Sequence, residues 1–144
     1  MTQLKYAVLA IVATTLHPAQ VFAADPASVV GTWRAPSKNG VIVIEACGAS
    51  LCGRLVESDL IRSNPDLRDV KNKEAAKRTR KLKDLQILGG FKRSGETWTD
   101  GTIYNPEDGG TYKATITPAG PNALKLKGCI AWPLCKTQNW TRIR

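Results

Sequence analysis

Four cysteines are the residues whose spacing most directly predicts chemistry: Cys47, Cys52, Cys129 and Cys135. Four cysteines allow three pairings, and an even number in an exported chain is typical of two disulfides. We expect the local bridges Cys47–Cys52 and Cys129–Cys135, because each pair brackets a short segment of turn-like sequence. A crosslink between the two pairs is one alternative. A zinc site of four thiolates is another, but the five-residue spacer between Cys129 and Cys135 is longer than structural zinc usually takes.

Side chains suited to acid–base or nucleophilic catalysis are scarce. The single histidine, His17, lies in a segment that we expect to be removed, and histidine is the commonest general base near neutral pH. Glu107 and Asp108 are adjacent carboxylates, but Pro106 and two following glycines indicate a turn, where neighbouring side chains diverge. No serine lies in a G-x-S-x-G or S-x-x-K pattern. We therefore expect a protein that is not an enzyme, with no catalytic residues, no cofactor and no metal.

The N-terminal segment has the features of a secretory signal peptide. Lys5 supplies a positive charge, residues 6–16 form an apolar run too short to span a bilayer, and Val21 and Ala23 are small residues before a cleavage site. We predict cleavage of residues 1–23, which leaves residues 24–144 as a single domain that is periplasmic or secreted. That domain keeps 20 basic and 12 acidic residues, a net charge of +8.

Most of the remaining chain is typical of short strands separated by turns. Alternation of apolar and polar residues is clearest over residues 111–117 and 123–128. About eight strands at this spacing predict an all-β fold, an antiparallel barrel or sandwich. A turn is expected at residues 98–101. The predicted strands are 29–34, 41–47, 51–57, 85–92, 102–105, 111–117, 123–128 and 136–143.

A basic, partly helical excursion is expected between the third and fourth strands. Residues 64–66 (Asn-Pro-Asp) have the pattern of a helix start, and pairs such as Asp69 and Lys73 would support a helix over residues 67–83. The apolar stripe is thin, so such a helix would pack weakly. Residues 68–83 hold eight basic and two acidic side chains, so this segment alone carries a charge of +6.

The basic segment has two interpretations. It is either a solvated excursion that aids solubility or a surface that contacts anionic components of the cell envelope. Nucleic acid is not an expected partner, because residues 68–83 contain no aromatic side chain for base stacking. The side chains predicted to contact anions are Lys77, Arg78, Arg80 and Lys81.

Several motifs are together similar to those of a known family. They are Gly-Thr-Trp at residues 31–33, Leu-Cys-Gly-Arg-Leu-Val at 51–56, Asp69, Asn72, Arg80, Tyr-Asn-Pro-Glu-Asp-Gly at 104–109 and Trp-Thr-Arg at 140–142. Over residues 29–143 the chain resembles the small exported bacterial family known as domain of unknown function 2147. Residues 73–84 depart from the family's usual Pro-rich sequence. The resemblance implies a small antiparallel eight-stranded barrel of the lipocalin (calycin-like) type and no settled activity.

Trp33 and Arg142 predict a contact at the floor of such a barrel. The first and last strands of a closed barrel pair with each other, and these two residues lie on those strands. A guanidinium over a shielded indole is worth about 1–2 kcal/mol. We assign this pair a structural role.

The apolar loop at residues 130–134 (Ile-Ala-Trp-Pro-Leu) sets the expectation for function. It either plugs one end of the barrel or forms the rim of a ligand mouth or a partner contact. An eight-stranded barrel holds its own side chains or one small ligand. The predicted ligand mouth consists of Trp132, Ile130, Leu134, Tyr104 and Tyr112.

Two functional hypotheses follow. The first is a protein that binds a small apolar or amphipathic molecule in the cell envelope, which predicts an open cavity bordered by Trp132. The alternative is an interaction protein that docks on an envelope partner or an anionic surface through its basic segment and apolar loop. That alternative predicts a filled barrel.

Overall fold

Eight antiparallel strands close into a barrel in the computed structural model, which describes residues 28–143. The predicted fold class is therefore confirmed, whereas the predicted signal peptide lies outside the described residues. The strands are β1 (Gly31–Arg34), β2 (Val41–Cys47), β3 (Ser50–Glu57), β4 (Leu85–Ser94), β5 (Thr97–Asn105), β6 (Gly110–Pro118), β7 (Ala123–Ala131) and β8 (Leu134–Arg142). The one α-helix in this part of the chain, α1, spans Asp59–Ser63.

Closure of the barrel depends on pairing between its first and last strands. Trp33 lies opposite Arg142, and Arg34 lies opposite Thr141. Because successive strands run in opposite directions, their connections alternate between two ends. The closed end holds residues 28–30 and the β2–β3, β4–β5 and β6–β7 turns. The open end holds the β1–β2, β3–β4, β5–β6 and β7–β8 connections.

The closed end is filled by large apolar side chains. Trp33, Phe91, Ile116 and Leu124 are fully buried there. The indole Nε1–H of Trp33 donates to the carbonyl oxygen of Val29 at 2.8 Å, so its polar group is satisfied within the core. This packing gives the barrel a solid floor.

The expected strands form, with one error around the fifth. The turn predicted at residues 98–101 is wrong, because β5 continues through it and the turn lies at residues 95–96. Gly101, a turn residue by its sequence context, instead lies inside β5, where a Cβ would overlap the ring of Phe91. The glycine therefore provides space for core packing.

The partly helical excursion between β3 and β4 is confirmed, but no α-helix forms over residues 67–83. The short helix α1 precedes that range, and the hydroxyl of Ser58 caps it by accepting from the backbone N–H of Ile61. Asn64 ends α1, and its side chain accepts from the N–H of Asp66 at 3.1 Å in an Asx turn. The following proline disfavours a helical conformation at Asn64. The cap-like sequence therefore forms a turn.

The rest of the β3–β4 connection is irregular. It contains a 3₁₀ turn at Ala75–Lys77 and an isolated bridge between Arg68 and Lys81. None of the helices within residues 28–143 is long and apolar enough to cross a membrane. The connection is held to the barrel by side-chain contacts, which are described below.

Both expected disulfides are confirmed. Cys47 and Cys52 are joined across the β2–β3 turn, and Cys129 and Cys135 are joined between β7 and β8. The bridges use all four thiols, so no thiolates remain for the alternative zinc site. One disulfide lies at each end of the barrel.

Candidate functional site

A cavity of about 570 Å³ opens at the open end of the barrel. Its volume falls within the range of roughly 300–1,000 Å³ that is typical of small-molecule sites. Trp140 lies at its base, where the filled floor begins. Its wall is largely apolar and includes Ile42, Leu55, Ile87, Ile103 and Leu126.

Part of the cavity exists because one inward position of β7 is a glycine. Leu124, Leu126, Gly128 and Ile130 alternate along that face, so the position facing the middle of the cavity has no side chain. A Cβ at Gly128 would have Ile103 Cγ2 as its nearest neighbour, at 3.4 Å. The site therefore has room for a side chain, and glycine leaves that room to the cavity.

Four of the five predicted mouth residues line this cavity: Ile130, Leu134, Tyr104 and Tyr112. The placement of Trp132 in the mouth is wrong. Trp132 is 80% exposed at the tip of the β7–β8 connection, outside the cavity wall, with the Lys127 ammonium 4.7 Å from its ring centroid. Because Ile130 and Leu134 are also 75% and 67% exposed, this loop does not plug the barrel.

Asp108 lies beside the mouth and is held by three hydrogen bonds. Its carboxylate accepts from the Tyr112 hydroxyl at 2.9 Å, the Asn105 amide at 2.8 Å and the Gly110 N–H at 2.7 Å. Burial alone would raise the pKa of Asp108, but these bonds and the nearby Lys73 charge lower it below its ordinary value. The hydrogen bond to the Asp108 carboxylate, in turn, raises the pKa of the Tyr112 hydroxyl.

Glu107, the neighbour of Asp108, has a different partner. Its carboxylate accepts from the Ser37 hydroxyl at 2.6 Å, which links the β5–β6 turn to the β1–β2 connection. The two carboxylates therefore have separate structural contacts, as the turn sequence predicts.

The inner face of β8 forms another wall of the mouth. Lys136 and Gln138 line the cavity between Leu134 and Trp140. The Trp140 indole N–H donates to Oε1 of Gln138 at 2.9 Å. Because an indole can only donate, this bond fixes which way the Gln138 amide is turned. Its NH₂ group is the end left to other partners.

A buried polar cluster ties the β3–β4 connection to β5. Asp69 is 1% exposed and accepts hydrogen bonds from the Tyr104 hydroxyl at 2.5 Å, the Asn72 amide at 2.9 Å and the Arg80 guanidinium at 2.9 Å. The Arg80 guanidinium also lies 5.2 Å from the centroid of the Tyr104 ring. Burial, followed by the bond to Asp69, raises the pKa of Tyr104.

Sequence reasoning missed this cluster. The sequence identifies Asp69, Asn72 and Arg80 as family motif residues, pairs Asp69 with Lys73 on a helix that does not form, and predicts an anion contact for Arg80. A carboxylate 11 residues before its guanidinium partner has no periodic signal. The co-occurrence of these residues with Tyr104 in the family pattern is the one sequence signal that could have indicated a shared contact.

The β3–β4 connection also packs directly on the β5–β6 turn. The backbone around Lys71 packs so closely on Gly109 that a Cβ there would overlap the Lys71 carbonyl group. The Lys71 ammonium donates to the carbonyl oxygen of Glu107 at 2.9 Å. The β3–β4 connection is thus anchored to the β5–β6 turn beside the mouth.

The four basic residues predicted to contact anions all have acceptors within the β3–β4 connection. Lys77 and Arg80, with Lys73, line a second depression of about 470 Å³, whereas Arg78 and Lys81 lie outside it. The Lys81 hydrogen bond and charge lower the pKa of Asp66. The pairs are Lys77 with the Glu74 carboxylate, Arg78 with the Asn72 carbonyl, Arg80 with Asp69 and Lys81 with Asp66.

Trp33 and Arg142 meet at the floor, far from the mouth. The guanidinium lies 4.2 Å from the centroid of the indole ring. It also donates to the carbonyl oxygens of Ser28 at 2.6 Å, Val30 at 2.9 Å and Pro121 at 2.7 Å. One side chain thereby joins the segment before β1, the β6–β7 turn and β8.

Comparisons with known proteins agree with this architecture. A family model described as "Uncharacterized protein conserved in bacteria (DUF2147)" matches residues 31–142. A solved structure of protein HP1028 from the human pathogen Helicobacter pylori, described as belonging to the lipocalin family, aligns with a TM-score of 0.74 at 18% identity. The alignment covers 81% of this chain and 84% of that chain. No curated protein sequence gives a significant match. The structural likeness shows a lipocalin-like barrel.

Proposed function

The chain belongs to the bacterial family DUF2147, and we propose that it binds a small apolar or amphipathic molecule inside its barrel. The observation that carries this proposal is the cavity of about 570 Å³ at the open end of a barrel whose other end is filled. The proposal makes the protein a binding protein of the cell envelope rather than an enzyme.

The chemistry of the cavity wall supports an apolar ligand. Burying a methylene group is worth about 0.8 kcal/mol, so a chain of about eight methylenes gains about 6 kcal/mol before the costs of association are subtracted. The exposed rim and the polar groups beside it allow the other end of the ligand to remain hydrated. An amphipathic molecule therefore fits better than a uniformly apolar one.

The cell envelope is the proposed location. Two disulfides and membership of a bacterial family are consistent with export, because disulfides persist in oxidising compartments. In that compartment a barrel with an open apolar cavity would shield a poorly soluble molecule from water.

Titration with N-phenyl-1-naphthylamine tests the proposal, because this neutral fluorophore brightens in apolar surroundings. We expect saturable binding at micromolar concentrations. The variant Gly128→Leu places a side chain in the cavity, so we expect affinity to fall by about tenfold or more, equivalent to about 1.4 kcal/mol.

The matched control adds the same side chain outside the barrel. Thr137 is exposed and lies opposite Lys127 on the outer face, so Thr137→Leu should bind the fluorophore as the unaltered protein does. An absence of saturable binding, or equal affinities in Gly128→Leu and the unaltered protein, would contradict the proposal.

The filled barrel expected of a docking protein is wrong, because the open end holds a cavity. A second candidate function, docking on an anionic membrane, is nevertheless favoured by the apolar tip (residues 130–134). Ile130, Trp132 and Leu134 are exposed together at the open end. Residues 109–144 contain no acidic residue, so the β7–β8 hairpin carries only positive charge. Aromatic and basic side chains are a combination that favours lipid headgroups. We propose that the tip, rather than the internally paired basic segment, makes this contact.

Co-sedimentation with vesicles tests the docking function. We expect binding to phosphatidylglycerol vesicles, weaker binding in high salt, and little binding to phosphatidylcholine vesicles. Trp132→Ala should reduce binding, whereas Val30→Ala, at an exposed apolar residue of the closed end, should not. Equal binding by both variants would exclude the tip as the docking surface.

A further inference from the structure

The mouth of the cavity presents hydrogen-bond donors on the inner face of β8. Lys136 contributes three N–H donors and no acceptor. Gln138, the next inward residue, has its carbonyl oxygen occupied by the Trp140 indole, which leaves its NH₂ group to other partners. Two neighbouring inward positions on one strand therefore offer donors to whatever enters the cavity.

Lys136 has no acidic partner in the part of the chain that the structure describes. None of the ion pairs formed within residues 28–143 includes it. Opposite it on β7 lies Gly128, so no side chain fills the space beside its stem on the inner face. The ammonium group thus has both its charge and adjacent volume available.

The acidic side chains at the mouth have other partners. Asp108 is occupied by Tyr112, Asn105 and Gly110 on the β5–β6 turn. Glu107 accepts from Ser37. Since both carboxylates are held by hydrogen bonds from elsewhere, neither is used to neutralise Lys136.

From these observations we infer that the ligand is an anionic amphiphile. Resting on the proposed binding function, this inference assigns its charged head to Lys136 and Gln138 and its apolar tail to the wall around Ile42, Leu55 and Leu126. Charge-assisted hydrogen bonds to an ammonium group are about twice as strong as neutral ones. The head group is therefore a determinant of selectivity, whereas the tail supplies most of the buried area.

The inference is tested by displacing N-phenyl-1-naphthylamine with ligands that share the same alkyl tail length but differ in their head groups. Decanoate and decan-1-ol share a ten-carbon chain, and decyl sulfate replaces the carboxylate by another anion. We expect decanoate to bind about tenfold more tightly than the alcohol, a difference that corresponds to about 1.4 kcal/mol. The ratio of decyl sulfate to decanoate affinity distinguishes a carboxylate site from one that accepts sulfate or phosphate esters.

The variant Lys136→Gln should abolish the preference for the anion and leave the affinity for decan-1-ol unchanged. Lys125→Gln is the matched control, because this substitution removes the same charge from a side chain that does not face the cavity. Lys125 lies on the outer face of β7. We expect this control to retain the preference.

The two proposals fail in different ways. If the fluorophore and all three ligands fail to bind, the binding function is wrong and the head-group assignment falls with it. If decanoate and decan-1-ol bind equally, or if Lys136→Gln weakens both by the same factor, the binding function stands and the assignment of the head group to Lys136 is wrong.

Discussion

The two ends of the barrel use their inward-facing side chains differently. At the closed end, Trp33, Phe91 and Leu124 fill the interior, and Arg142 joins three separate segments through their carbonyl oxygens. At the open end, an inward glycine and a wide rim leave a cavity of about 570 Å³. The strands that form both ends are the same.

This difference indicates that the closed end of the barrel stabilises the fold, whereas the open end is free to hold a cavity. The closed end supplies buried area and hydrogen bonds, which stabilise the fold. The open end exposes apolar side chains that the fold alone does not require, and the proposed binding function would account for their exposure. The buried cluster around Asp69 lies at the open end and fixes the long β3–β4 connection beside the mouth. Substitutions at the two ends should therefore change different properties.

Removal of the floor indole should have the largest effect on stability. We expect Trp33→Ala to lower the free energy of unfolding by about 3–5 kcal/mol, because the side chain is 1% exposed and its loss leaves a cavity. Urea denaturation measures this change. Trp132→Ala removes the same side chain from the open end, where we expect a change below about 0.5 kcal/mol. Similar losses in the two variants would break the distinction between the ends.

Loss of the buried carboxylate should have an intermediate effect. Asp69→Asn leaves the Arg80 guanidinium without its counter-charge, so we expect the free energy of unfolding to fall by about 2 kcal/mol. We also expect faster tryptic cleavage within residues 68–83, because the connection loses its anchor. Asp66→Asn, at the exposed partner of Lys81, should change neither measurement appreciably. A stable Asp69→Asn variant with unaltered cleavage would show that other contacts hold the connection.

The contact between Tyr104 and Asp69 should also make the free energy of unfolding depend on pH in the alkaline range, with a smaller effect than Asp69→Asn. The raised pKa of Tyr104 means that folding favours its protonated form, so its contribution to stability is complete below pH 10.0 and is lost as pH rises through the folded pKa. We expect the free energy of unfolding to fall less steeply in Tyr104→Phe than in the unaltered protein over this range. Tyr112→Phe, at the exposed rim, should retain most of the fall. Parallel curves for all three proteins would contradict the role given to Tyr104.

Local patterns were sufficient to predict much of the fold. The strict alternation in β6 and β7 and the two closely spaced cysteine pairs depend only on short-range spacing. The Trp33–Arg142 contact depends only on closure of the barrel, which pairs the first strand with the last. The family motifs identified the lipocalin-like barrel. The error at β5 arose because Gly101 is a turn signal in sequence but provides space for Phe91 in the fold.

The candidate site was harder to predict because it depends on contacts between distant segments. Asn64, Pro65 and Asp66 have the composition of a helix start, yet the side chains that follow bind Tyr104 and one another instead of forming a helix. Ile130 and Leu134 line the cavity, whereas Trp132, two residues from each, lies outside the cavity wall. Which residues of a hairpin tip face inward depends on the register at its end, and the composition of the loop does not determine it.

The decisive test of ligand binding is native mass spectrometry of the protein as purified from its natural compartment without organic solvent. We expect a reproducible excess mass that organic extraction removes and that is reduced in Gly128→Leu. The protein itself should be four hydrogens lighter than its reduced form because of the two disulfides. The head-group inference further predicts that the extracted molecule is an anionic amphiphile. A bare mass for both the unaltered protein and the variant would contradict the claim that the cavity is a binding site.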